Sequence, residues 1–355
     1  MRFFVGTYTN DNRSAGIYSV SLDEKSGELG QPELAAKCSN PSFLALSPDG
    51  TRLYATAEVP SADGTQQGGL RAFHVTQGKG ALTEFSALPL AASGTSTHVS
   101  VSPDGKAAFS VHYNAAWVAS VRLDAQGALF ERASLLTHAG KTGPNTKRQE
   151  KPHAHSIILS PDGRHAYVCD LGLDLVQPYL ISPTDASLKA LAPAASEPGD
   201  GPRHSRFSHD GRHLYVVNEL TGSMGVYLRD TQEGTLSRLQ TVSLLEPGFT
   251  GSNTSAEVQL HPNGRHLYAT SRGPDIITVL ERSEQDGLLK VLQRLPSGGR
   301  HPRHFALSPD GRWLVCANRD TDSLNVFAVD PTSGTLRATG FSAVVPQAVC
   351  VLFAP

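Results

Sequence analysis

The sequence predicts an all-β chain: a seven-bladed β-propeller of four-stranded antiparallel blades, with the N- and C-terminal strands sharing one blade. Three observations carry that prediction. The tetrapeptide SPDG recurs at 47–50, 102–105, 160–163 and 308–311, while SHDG at 208–211 and HPNG at 261–264 hold the same place in their segments. Successive markers start 55, 58, 48, 53 and 47 residues apart, and a period near fifty signals a repeat architecture. Each marker also separates two apolar alternating runs, and its Asp-Gly or Asn-Gly pair supplies the positive φ angles of a tight hairpin. Finally, six markers leave two chain ends that are complementary fragments of a seventh unit.

Taken in order, 1–10 (MRFFVGTYTN) reads as a second strand, 16–23 (GIYSVSLD) as a third and 28–37 (ELGQPELAAK) as a fourth. Six full copies follow. In the sixth, 304–308 is the first strand and 312–318 the second, an apolar run suited to burial on both faces. The third strand, 323–330, alternates and is turned by DPTSG into a fourth at 335–344. The last run, 345–354 (VPQAVCVLFA), resembles a first strand without its turn. Placed innermost beside the N-terminal three, it completes the seventh blade and removes the edges an open array would expose. Seven such units occupy residues 1–355 as a single domain.

A formal net charge of −2 gives no sequence-wide case for nucleic acid or an anionic membrane as partner. No run reaches the roughly eighteen apolar residues of a membrane span, and the N-terminus reads as a strand of the fold, so a cytoplasmic location is expected. Cys38, Cys169, Cys316 and Cys350 lack CxxC spacing and are expected to be buried, reduced thiols. There is no GxSxG elbow, no GxGxxG or Walker loop after a strand, and no WD dipeptide. No metal or cofactor is expected.

Hairpin geometry locates the chemistry. Residues before each first strand and after each second strand share the end of the propeller opposite the SPDG turns, which are read as structural. Pairing across a two-residue turn at Asp210-Gly211 puts Arg203 beside Asn218 and Pro202 beside Glu219, making the two charges neighbours; the turn at Asp162-Gly163 puts His155 opposite Asp170, which could fix its tautomer. His153, His204, Arg272, Arg303 and His304 collect at the same mouth. The pair His153 and His155 would suit a metal, but no matched carboxylate or cysteine set accompanies it. The basic stretch 141–151 (KTGPNTKRQEK) reads as a solvated loop, with anion steering as a minor role.

GTYT at 6–9, PHAHS at 152–156, DLGLD at 170–174, GPRH at 201–204, VNEL at 217–220, SRGPD at 271–275 and ANRDTDSLNVF at 317–327 follow one another in a known order. In that order the chain resembles, end to end, the seven-bladed propeller lactonases, which include bacterial propeller-type 6-phosphogluconolactonases and fungal carboxymuconate cycloisomerases. The resemblance implies a site of one His, two Arg and one Glu, at His155, Arg203, Glu219 and Arg272. Pro274 stands where the family's form carries a histidine.

The expected activity is hydrolysis of a sugar lactone, above all 6-phosphogluconolactone, without metal. Glu219 is the candidate general base, His155 the donor to the ring oxygen or the carbonyl, and Arg203 and Arg272 the holders of anionic groups. His153, His204, Arg303 and His304 are candidate substrate-binding residues. Two alternatives stand beside it: a carboxymuconate-type cycloisomerase or unphosphorylated sugar lactonase, and a non-catalytic scaffold. An aromatic content of 7% disfavours the scaffold, which would present aromatic patches to partners.

Overall fold

A computed structural model describes residues 1–354 apart from 77, 79, 92 and 93. Its strands form seven antiparallel sheets. Blade 7 is the clasp: Ala348–Phe353 innermost, then Arg2–Thr7, Gly16–Ser21 and Glu33–Lys37. Blades 1 to 6 begin with innermost strands Leu44–Leu46, His98–Val101, Ala154–Leu159, Pro202–Phe207, Thr254–Leu260 and Pro302–Leu307. Each innermost strand packs against those of the blades on either side, and blade 7 meets blade 1, which closes the ring. Blade 3 departs slightly: after a short fourth strand, Leu188–Ala190, the two-residue Ala194–Ala195 also pairs with its third.

The core is not one mass but seven, an apolar cluster in each seam between blades. This explains the composition of the second strands: sandwiched between neighbouring blades on both faces, Trp313–Asn318 and His213–Asn218 are buried at every residue. A recurring tyrosine crosses the seams. The hydroxyls of Tyr54, Tyr167, Tyr215 and Tyr268 donate to the carbonyls of Gly127, Gly234, Gly287 and Gly334 in the outer turn of the next blade, at 2.8–3.0 Å. Burial pushes the Tyr54 phenol up to about 12, so these hydroxyls remain donors.

The SPDG turns are braced first by their own residues, with Arg229 of the next blade also bonding Asp162. In 208–211, Ser208 Oγ donates to Asp210 Oδ1 at 2.5 Å, the same oxygen accepts the Arg212 N–H, and Gly211 takes φ 68°. These contacts set the register, and Phe207 faces Leu214 and His204 faces Val217 as the sequence predicts. The ladder then slips. Pro202, not Arg203, pairs with Asn218, and Ala154, not His155, pairs with Asp170. Arg203, His155 and, in blade 6, Arg303 each occupy the extra position of a β-bulge. A bulge re-aims the side chain it carries, and here three candidate residues are turned toward the axis at one mouth.

Candidate active site at one mouth of the central channel

The mouth opposite the SPDG turns is a funnel of about 650 Å³ lined by Tyr8, Tyr113, Arg148, His155, Glu219, Arg272 and Arg303 among others. A cleft of about 770 Å³ beside Met1 and Arg2 is larger, but its described lining includes no histidine and no cluster of guanidinium groups. The funnel is where ionisable groups converge.

Glu219 is its centre. It follows the second strand of blade 4, its N–H bonded to Gly201 O at 2.8 Å and its carbonyl accepting Ser255 N–H at 3.0 Å, so the backbone is fixed from both neighbouring segments. Gly201 is required in this arrangement: φ is 62°, and a Cβ would lie 2.6 Å from Leu220. The carboxylate meets Arg203 Nε at 3.0 Å and Arg272 Nη2 at 2.9 Å through Oε2, and Arg148 Nη2 at 2.5 Å through Oε1. The Arg203 contact is a charge pair without hydrogen-bond alignment. Arg203 and Arg272 are also tied to the backbone, donating to Ala256 O and to Thr254 O and Ser255 O.

Glu219 is 3% exposed and Arg203 1%. Burial raises a carboxyl group's pKa, but the charges of Arg272 and Arg203, with Arg148, outweigh it and hold Glu219 well below the ordinary carboxylate range. His155 lies beside this cluster, Nε2 4.0 Å from Glu219 Oε2, with Nδ1 buried and unpartnered. Burial and then Arg203 hold it well below the usual histidine value, leaving the imidazole neutral. Asp170 does not serve it. That carboxylate accepts the N–H groups of His153 and Leu173 and pairs with His138 Nδ1 at 2.7 Å, so the expected tautomer partner belongs to His138.

Arg148 corrects the reading of 141–151 as a solvated loop. The DLGLD segment clamps it: Gly172 packs so closely that a Cβ would meet Lys151 O at 1.9 Å, and its carbonyl accepts Gly143 N–H. Asp174 Oδ1 accepts Gln149 Nε2 at 2.6 Å and Gly201 N–H at 2.8 Å, tying this loop to the segment that carries Arg203. Arg148 thus reaches Glu219 and the Tyr113 hydroxyl.

Of the remaining candidates, Arg303 lines the funnel, its guanidinium 5.3 Å from the centre of the Tyr8 ring and, among the described residues, without an acidic partner. His153 is not in the funnel. It stacks on Tyr113 with centroids 4.1 Å apart and bonds Tyr113 O and Glu150. His204 and His304 lie further down the channel on either side of Glu257 and line the opposite mouth. The position eight residues after each turn glycine, which gives Glu219 and Arg272, also gives Glu58, Tyr113 and Arg319, all of which line the funnel. Among the described residues no group of three or more His, Cys, Asp or Glu is placed to hold a metal ion.

A closed propeller whose axial mouth sets three guanidinium groups around the Glu219 carboxylate, beside a neutral imidazole and a further guanidinium at Arg303, is an enzyme-like site for an anionic or carbonyl substrate. The family described as Lactonase, 7-bladed beta-propeller matches residues 2–353, and the chain belongs to that family of lactone-opening enzymes. It is similar to the 6-phosphogluconolactonase of Bacillus subtilis, 33% identical over 350 residues covering 99% of this chain and 97% of the relative. It is 28% identical to the 6-phosphogluconolactonase of Formosa agariphila, covering 94% of each. Among solved structures, the periplasmic gluconolactonase of Pseudomonas aeruginosa superposes with a TM-score of 0.91 at 32% identity, covering 100% of both chains. No described helix is long and apolar enough to cross a membrane.

Proposed function

We propose that this chain hydrolyses 6-phosphogluconolactone to 6-phosphogluconate, with His155 as the general base and Glu219 as the organiser of the site's positive charge. One observation carries the assignment of roles. Glu219 is surrounded by three guanidinium groups, which makes it a weak base, whereas His155 is neutral, adjacent, and has a ring nitrogen without a partner. Glu219 is therefore moved from the role of base that the residue types first suggested.

In the reaction, water attacks the lactone carbonyl as His155 takes its proton. Arg272 and Arg148, at the funnel wall, face the negative charge that develops on the carbonyl oxygen, and Glu219 offsets the charge gained by the imidazole. Collapse breaks the bond from the carbonyl carbon to the ring oxygen, which receives the proton back from His155. The carboxylic acid so formed releases its remaining proton to solvent, leaving a carboxylate and a free hydroxyl. Arg148, Arg203 and Arg272 all pair with Glu219, so the phosphate falls to Arg303, the funnel guanidinium that has no acidic partner among the described residues. Four buried, unbridged cysteines suit a reducing compartment, and burial pushes the Cys38 thiol up to about 12.

The solved gluconolactonase favours a second reading, an unphosphorylated sugar lactone. Rates on phosphorylated and unphosphorylated gluconolactone, each corrected for spontaneous opening, separate the two. A kcat/KM ratio well above one supports the phosphorylated substrate; a ratio at or below one assigns the unphosphorylated lactone, and no acceleration of either refutes the lactonase reading.

A further inference from the structure

The second mouth, at the SPDG end, is not the inert floor that the turns suggest. A hollow of about 750 Å³ opens there, ringed by Pro103, Pro161, Pro262 and Pro309 from the markers and lined deeper by Phe43, His98, His204, Arg206, Glu257 and His304. None of these side chains touches Glu219 within hydrogen-bond or ion-pair distance, and the reaction proposed above uses none of them.

Two side chains in this hollow carry a buried nitrogen that makes no hydrogen bond among the described residues. His98 is 5% exposed, with its Nδ1 buried and without a hydrogen bond. Arg206 Nε is likewise buried and unbonded, and among the described residues its guanidinium has no ion-pair partner. Arg206 feels the charge of Glu257 without touching it, and two buried nitrogens without hydrogen bonds carry a cost that a bound acceptor would offset. Phe43 lies against His98 with ring centres 3.8 Å apart and edge-on to His204 and His304, giving the hollow an apolar wall beside its donors.

Glu257 narrows the choice of ligand. It accepts from His204 Nδ1 at 2.7 Å, from Gln259 Nε2 at 3.0 Å and lies 3.3 Å from His304 Nε2. The Val351 N–H bonds His304 Nδ1 at 3.2 Å, which fixes the proton on Nε2 and turns it toward the carboxylate. Burial pushes Glu257 up to about 7, so above that pH its charge opposes a multiply charged anion, and at any pH its oxygens are already partnered, while one guanidinium fork matches a planar carboxylate. We propose that the SPDG-end mouth is a second binding site, distinct from the funnel, for a small organic monocarboxylate held by Arg206 and His98 with its carbon chain against Phe43.

The test uses the intact protein with sodium acetate, sodium benzoate and inorganic phosphate as probes, followed by NMR titration, with 6-phosphogluconate added to fill the funnel. Acetate is expected to bind saturably, in the roughly millimolar range of a single charge-assisted contact, and benzoate more tightly. Arg206→Gln should weaken both at least ten-fold while lactone turnover stays within two-fold of wild type. Phe43→Ala should remove the preference for benzoate, and His98→Asn gives an independent weakening if the arginine variant is unstable. Binding that survives Arg206→Gln and His98→Asn, or that is lost in Arg303→Gln instead, overturns the site. Phosphate binding more tightly than acetate in an Arg206-dependent manner overturns the monocarboxylate assignment.

Discussion

Replacing Glu219 by glutamine keeps the shape of the side chain and removes one buried negative charge from among three guanidinium groups. At 2.9–3.0 Å and an effective dielectric constant of about 20, the pairs with Arg272 and Arg203 are each worth about 6 kcal/mol of Coulomb energy before desolvation. Arg148, with 37% of its side chain exposed, adds less because solvent screens it. Desolvation offsets most of the gross figure, but the arginines stay buried when the carboxylate is lost, so the net cost of the substitution is about 3–5 kcal/mol. The sign with pH follows. Glu219 titrates lower in the folded state than in the unfolded chain, so its contribution is complete above the unfolded value of about 4.3 and is lost as pH falls toward the folded one. Urea unfolding of wild type and Glu219→Gln from pH 8 to pH 3 should show a wide gap at neutral pH that narrows below about pH 4, with lactone turnover reduced in the variant. Equal midpoints at neutral pH together with wild-type turnover would refute the charge-organising role.

His155→Asn should fold normally, since the ring makes no required hydrogen bond through Nδ1, and should lower kcat by about 10²–10⁴-fold. In the wild type the acid limb of kcat/KM should lie below pH 6.5, because the folded pKa of the base is depressed; a limb above pH 7 excludes His155. Arg303→Gln should raise KM for the phosphorylated lactone by about 10- to 100-fold, the value of a charge-assisted contact, and leave the unphosphorylated lactone little affected; equal effects on both would place the phosphate elsewhere. Gly172→Ala puts a Cβ 1.9 Å from Lys151 O, so steady-state kinetics should show a fall in turnover as Arg148 is displaced, and unchanged kinetics would detach that loop from catalysis. Removing residues 346–355 takes away the innermost strand of blade 7, and size-exclusion chromatography should show aggregated rather than monodisperse protein.

The blade count, the clasp and the mouth at which charges collect are legible in the chain alone. This holds because each marker is a local turn satisfied within about five residues, and because side chains alternate with a period of two along every strand that leaves it. Glu219 and Arg272 were legible for that reason, as positions at a fixed offset from a turn, and Arg203 and His155 were placed within one residue. The rest depends on the folded ladder and its contacts. A bulge leaves no mark on the alternation, so Pro202, not Arg203, faces Asn218, and the aim of His155, Arg203 and Arg303 became visible only in the ladder. Arg148 enters the site through the Gln149 to Asp174 contact across 25 residues of chain. His204 and His304 were displaced from the funnel to the far mouth by their pairing with Glu257. In each case the deciding term is a contact that strand alternation does not encode, a slip in the ladder or a side-chain bond between a loop or blade and its neighbour.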